Sequence, residues 1–316
     1  NKGDLKREHN GLLYTCRGGF IDLAHVRDNV DRTLYLAMEI VRVLPGGATI
    51  ELWEEGTQRR VHIKPLPAGL IDREGRWSAA TVIANYVNYQ LSLWHEVVTW
   101  YGWESLPGFS ERVSGFSPED MYSNALGGNL AVGIIVNRES RSREQYDESV
   151  QAWIAEGLRR LGVVDKAQAR AAMRAVDGLW WDSKQRVPDM KLVTRRNLEI
   201  APPLSGWIVS AALGQDAPPE IAQMCAGQPP PLPMRVPSKL GELELKDLVT
   251  VEFEFNKWVP KQFPLPAKQG DKITQADFAV IMEDVRRAGS EALGEGFDAP
   301  AKRPAKRPDE EAPAPG

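Results

Sequence analysis

The chain has 316 residues, 42% of them hydrophobic and 26% charged, which is enough apolar material for one large core or two small ones. A net charge of −4 and a pI near 5.8 exclude a global electrostatic drive toward nucleic acid. With only four histidines (His9, His25, His62 and His95), carboxylates would have to supply most ligands of any metal site.

Residues 1–19 are polar and then glycine-rich, and they read as irregular. The chain starts on Asn1 rather than Met, which reads as a processed or truncated beginning with any leader out of view. A helix is expected from an Asp22 N-cap to about Leu44, where Pro45-Gly46-Gly47 stops it. ATIELWEE and QRRVHIKPL alternate around Gly56-Thr57 and predict a β-hairpin. The stretch from Trp77 to Trp103 has no Lys, no Arg and no Pro, and predicts a long helix. Thr81, Asn85, Asn88, Ser92, His95 and Thr99 fall within an arc of roughly 80° on it. A polar stripe without bases suits an interior or a cleft. Its amides and charge make a poor membrane span, so the helix reads as a buried one.

FSPEDMYSNALGG predicts a further helix, with Ser117 as N-cap and Pro118 at the first position. Residues 143–162 and 165–182 read as amphipathic helices. Residues 188–270 carry thirteen prolines, yet LVTVEFEFNKWV (248–259) alternates as a strand. A helix capped by Thr274 follows over 273–289. The low-complexity end, with AKRP twice, cannot bury a core. The expected architecture is mainly α. A helical domain with one hairpin covers 20–186, a Pro-rich mixed α/β extension covers 187–297, and a disordered tail covers 298–316.

Three segments could carry chemistry. In the first, Asp22, His25, Asn29 and Arg32 form a polar arc that becomes Leu36, Ile40 and Val43 further along, and Asp28 sits three residues after His25. The arc suggests a helix whose polar end opens at a cleft; a solvated first turn is the plain alternative. The second is His95-Glu96, the first half of HExxH, with Thr99 where the second histidine would stand. A hydrogen-bonded core histidine is the plain alternative there. In the third, Asp120 belongs to a capping turn, and Tyr122, Ser123 and Asn124 precede a glycine pair. Ser123 lacks a nucleophile elbow. GGNLAVG (127–133) is no dinucleotide fingerprint and no Walker motif is present, so no nucleotide cofactor is expected.

YTCRGGFIDLAHVRDNVD (14–31), WHEVVTWYGW (94–103) and FSPEDMYSNALG (116–127) resemble an uncharacterised family of bacterial exported proteins and lipoproteins. The resemblance covers roughly residues 11–200. It implies a periplasmic or outer-membrane-associated location and says little about chemistry.

These observations converge on a metal-dependent hydrolase of the cell envelope, with Zn²⁺ or another divalent ion. His25, Asp28, His95 and Asp120 are its candidate ligands. Glu96 is the candidate base, and Asn124 a hydrogen-bonding or ligand-orienting residue. Arg32, Asn29, Ser92, Thr99 and Tyr122 are the candidate substrate contacts. The substrate would be a small or polymeric envelope component, with peripheral membrane or cell-wall association open. The alternative is a non-catalytic envelope protein whose same residues form a buried polar network. A third reading is a metal-free acid/base site of Glu96 and His25. Cys16 and Cys225 form one disulfide in an oxidising compartment or stand as two unrelated thiols.

Overall fold

The computed structural model describes residues 11–103, 111–186 and 191–300. Strands β1 (Leu12–Thr15) and β2 (Gly19–Asp22) form a tight antiparallel hairpin. This corrects the irregular reading of residues 11–19. Gly19 adopts φ +71°, which lets the chain reverse where the glycine-rich composition had suggested a loop. Helix α1 (Leu23–Val43) begins at Asp22, whose side chain accepts from the backbone N–H groups of Ala24 and His25. Strands β3 (Ala48–Glu55) and β4 (Thr57–Ile63) follow, then the short helix α2 (Leu70–Glu74) and the long α3 (Arg76–Trp100).

Helix α4 (Asp120–Val136) starts three residues beyond the expected Ser117 cap, and that turn is closed instead by Asp120, whose Oδ2 accepts from Ser117 N–H. Helices α5 (Arg143–Arg160) and α6 (Lys166–Ala175) follow, and α6 has a capping box of Asp165 and Gln168. The expected helix over 165–182 therefore stops early. Trp181 instead opens β5 (Trp181–Arg186), which pairs with β6 (Lys191–Val193). Beyond lie α7 (Val209–Leu213), α8 (Pro219–Met224), β7 (Lys239–Leu240), β8 (Leu243–Glu244), α9 (Leu245–Leu248), β9 (Val249–Phe255), β10 (Lys272–Thr274) and α10 (Phe278–Leu293). Residues 301–316 of the expected tail lie outside the described residues. Residues 298–300 make contacts, with Arg286 Nε on Asp298 and Trp180 Nε1 on the Pro300 carbonyl.

The hairpin β3–β4 belongs to a four-stranded antiparallel sheet in the order β10-β9-β4-β3. Val249, Val251, Phe253 and Phe255 alternate inward on β9 and are buried against the helices. Trp94 of α3 stacks on Phe253 with ring centroids 4.4 Å apart, and its indole N–H donates to the Glu55 carbonyl at 3.1 Å. This contact fixes the sheet against α3 one residue away from His95. A second apolar cluster gathers Tyr14, Phe20, Trp180, Trp181 and Trp207 around the first hairpin. A Cys16–Cys225 disulfide, closing a separation of 209 residues, ties that hairpin to the end of α8. Among the described residues no helix is long and apolar enough to cross a membrane.

Helices α1, α3 and α4 pack on one another, and two glycines permit the approach. A Cβ on Gly127 would lie 2.4 Å from the Val26 carbonyl oxygen, and one on Gly128 would lie 2.2 Å from Asn85 Oδ1. Gly127→Ala should therefore destabilise the protein by about 1–3 kcal/mol, although helix propensity alone favours alanine by roughly 1 kcal/mol. Chemical denaturation measures the difference, and a stabilised variant would contradict the close approach.

Candidate functional site

The polar stripe of α3 is interior: Thr81, Asn85, Asn88, Ser92 and Thr99 are each at most 3% exposed. The hydroxyls of Thr81 and Thr99 donate to carbonyls one turn back, Trp77 and His95, so they are satisfied on their own helix. Asn85 donates to Asn129 of α4. The stripe turns toward chemistry at Ser92, where the three helices meet.

A chain of side-chain amides runs across that junction. Ser92 Oγ donates to Asn29 Oδ1 at 2.6 Å, and Asn29 Nδ2 donates to the His25 carbonyl at 2.8 Å and to Asn124 Oδ1 at 2.7 Å. The same Asn124 oxygen lies 3.0 Å from His25 Nδ1. An amide oxygen only accepts, so this network assigns the proton to Nδ1. His25 Nε2 is left with its lone pair, 3.7 Å from Asp120 Oδ1.

Two carboxylates occupy this junction. Glu96 is 1% exposed and Asp120 5%. Glu96 Oε2 accepts from the Phe116 N–H at 2.7 Å, while no N–H or alcohol donor meets its Oε1 among the described residues. Phe116 takes φ +57°, a left-handed conformation costing about 1–2 kcal/mol in a non-glycine residue, and its N–H meets the acid there. Burial holds the Asp120 carboxyl well above its ordinary range, reinforced by the nearby Glu96 and Glu119 charges and a hydrogen bond to Glu96. The buried Arg196 lies within electrostatic reach of these acids, and its Nη1 donates to the Gly115 carbonyl at 2.8 Å. Burial lowers this guanidinium to about 10. One donor atom each from His25, Glu96 and Asp120 lies within 4.8 Å of the others.

His95 faces a different partner. Between Leu52 and Glu55 the β3–β4 register slips, and Trp53 and Glu54 are both exposed. This bulge shifts the alternation so that Glu55 turns toward α3. Glu55 Oε1 meets His95 Nδ1 at 2.7 Å, and Oε2 pairs with Arg59. Burial opposes both charges, but the mutual hydrogen bond and the neighbouring charges prevail. Glu55 falls to about 2, and His95 rises to about 9 with help from Glu96. The His25 and His95 rings lie 6.2 Å apart. They line a polar cavity of about 140 Å³ together with Asp28, Asn29, Arg32, Glu55, Ser92 and Asn124.

Most residues singled out from the sequence thus meet at one place. His25, Glu96 and Asp120 form the close donor group. Asp28, Asn29, Arg32, Ser92, His95 and Asn124 line the cavity. Two sit apart: Thr99 bonds its own helix, and Tyr122 donates its hydroxyl to the Leu232 carbonyl at 2.6 Å. Glu55, Arg59 and Arg196 were not anticipated. Glu55 shares the odd-numbered face of an alternating strand with Glu51 and Trp53, and only the bulge turns it inward. Arg196 lies in a stretch without periodicity.

The ion pair has a pH signature in metal-free protein. The folded His95 value of about 9 exceeds its ordinary 6.5, so its contribution is complete below 6.5 and lost as pH rises through about 9. The folded Glu55 value of about 2 lies below 4.5, so its contribution is complete above 4.5 and lost as pH falls through about 2. The pair should stabilise fully between pH 4.5 and 6.5. Glu55→Gln should lower the His95 titration by about a unit or more, as followed by NMR of the imidazole protons. A His95 that still titrates near 9 in that variant would break the link.

No curated protein and no solved structure matches the chain. The family model described as "Protein of unknown function (DUF4056)" matches residues 1–205, and the chain belongs to that family.

Proposed function

We propose that the chain is a metal-dependent hydrolase acting at this cavity, with a divalent cation held by His25 Nε2, Glu96 and Asp120. The supporting observation is the donor group itself. The separation of 3.7 Å between His25 Nε2 and Asp120 Oδ1 is too long for a hydrogen bond. It is close to the roughly 3.4 Å expected for two ligands about 2.1 Å from one tetrahedral ion. Both carboxylates are buried beside His25, and no salt bridge joins either of them to an arginine or lysine among the described residues.

A bound zinc ion, or another divalent ion, supplies Lewis acidity and a water acidified toward neutral pH. The chain's own groups do the rest. Asn124 and Asn29 hold the His25 tautomer, the positioning role that carboxylates and carbonyls play behind ligating histidines elsewhere. Glu96 acts as a ligand in this arrangement rather than as the base. His95, kept charged by Glu55, is placed to give a proton to a departing group. An exported location is what the family resemblance implies, and the Cys16–Cys225 disulfide is consistent with an oxidising compartment. The substrate would then be a small or polymeric component of the envelope.

A structural reading has its own support. Arg196 can neutralise the acids without an ion, and much of the stripe is satisfied on its own helix. The two readings separate on metal content. On the hydrolase reading, calorimetry finds one divalent ion per chain. Binding is accompanied by proton release, because burial and the neighbouring Glu96 charge raise the Asp120 carboxyl. His25→Ala and Asp120→Asn abolish that binding, and Asn124→Leu weakens it about 10–100-fold. Purified protein that takes up no stoichiometric metal after supplementation would leave the structural reading standing.

A further inference from the structure

Of the two cations that line the cavity, His95 pairs with Glu55, whereas Arg32 makes no ion pair among the described residues. Arg32 and Arg59 lie within electrostatic reach of each other, and both act on the one carboxylate of Glu55. Arg59 is the arginine that pairs with it, and its Nε also donates to the Trp53 carbonyl at 2.8 Å. Arg32 lines the cavity with its donors nearly unused. Among the described residues its guanidinium makes one hydrogen bond, a long one of 3.5 Å to Ser92 Oγ, and no carboxylate oxygen lies within 4.0 Å of it. Asp28, the other acid of the lining, sits at the exposed rim.

A guanidinium stays charged at every physiological pH and presents five N–H donors in a rigid planar fork. At the wall of a partly buried cavity such a fork gains more from a bound anion than from water, because the low local dielectric strengthens the charge-assisted bonds. The fork matches a group with two acceptor oxygens, which it binds in parallel. Ser92, Asn29 and Asn124 of the lining are polar, uncharged and already bonded to one another, and His95 is taken up by Glu55, so the Arg32 fork is the cationic group left to meet an anion.

We infer that Arg32 anchors an oxyanion on the substrate, a phosphoryl or carboxylate group bound on its fork within the cavity. The inference rests on the hydrolase reading and gives it a substrate class: an anionic ester or amide whose charged group docks beside the bond to be cleaved.

The test is calorimetry on the full chain with inorganic phosphate and with acetate as separate probes, in the presence and absence of bound metal. At least one probe should bind, and which one does separates the phosphoryl from the carboxylate source. Arg32→Met should weaken that binding at least tenfold while keeping the metal stoichiometry of the parent. Arg32→Lys, which keeps charge but loses the fork, should give an intermediate loss, and it serves as the decisive variant if Arg32→Met does not fold. Failure of both probes to bind, or equal binding by the Arg32 variants, overturns the inference. Arg32-dependent binding in protein that takes up no metal upholds the anchor while rejecting the metal site, so the two failures are distinct.

Discussion

Two carboxylates buried together need compensation, and most of the site's arrangement answers that need. Glu96 and Asp120 lie where the start of α1, the end of α3 and the start of α4 come together. An isolated buried carboxylate is costly enough that it either keeps its proton or acquires a partner. Here the compensation is divided. Asp120 is pushed toward its protonated form, Glu96 takes the N–H of a strained Phe116, and Arg196 supplies one distant charge. No N–H or alcohol donor meets one oxygen of Glu96 among the described residues. A cation between His25, Glu96 and Asp120 would satisfy what those partners leave over.

The packing that creates this junction depends on the absence of side chains. Gly127 and Gly128 let α4 approach α1 and α3 so closely that a single methyl group would overlap a backbone carbonyl or the Asn85 amide. That proximity allows the short Asn29 and Asn124 side chains to meet across helices and to dictate which nitrogen of His25 carries the proton. The amide chain is buried and uncharged, so water competes with it little and its geometry is well defined.

The sheet adds the second half of the cavity. Its inner face is held on α3 by the Trp94–Phe253 stack, and the bulge in β3 delivers Glu55 to His95. Two histidines 6.2 Å apart thereby acquire different surroundings. One meets the oxygen of an amide through Nδ1, and the other is held by a carboxylate as a cation.

Periodicity and capping sufficed for α1 and α3. The spacing of Leu36, Ile40 and Val43, the Asp22 cap and the uncharged stripe from Thr81 to Thr99 are local signals, and α1 and α3 follow them. The same signals pointed to His25, Asn29, Arg32, His95, Glu96, Asp120 and Asn124, because polar residues on an otherwise apolar face need a reason to be there. They did not reveal that His95 and Glu96, adjacent in the chain, face different partners. About 100° of helix rotation separates neighbouring residues, so an HE pair serves two sites as readily as one. Nor could local pattern find Glu55 and Arg196: a bulge and a distant loop bring them in, and both depend on pairing between residues far apart in sequence. What sequence alone determined was which residues are too polar for the places their helices put them. Which of them meet, which proton each carries and which charges remain unmatched were decided by the tertiary packing, because those properties belong to distances between elements rather than to any one element.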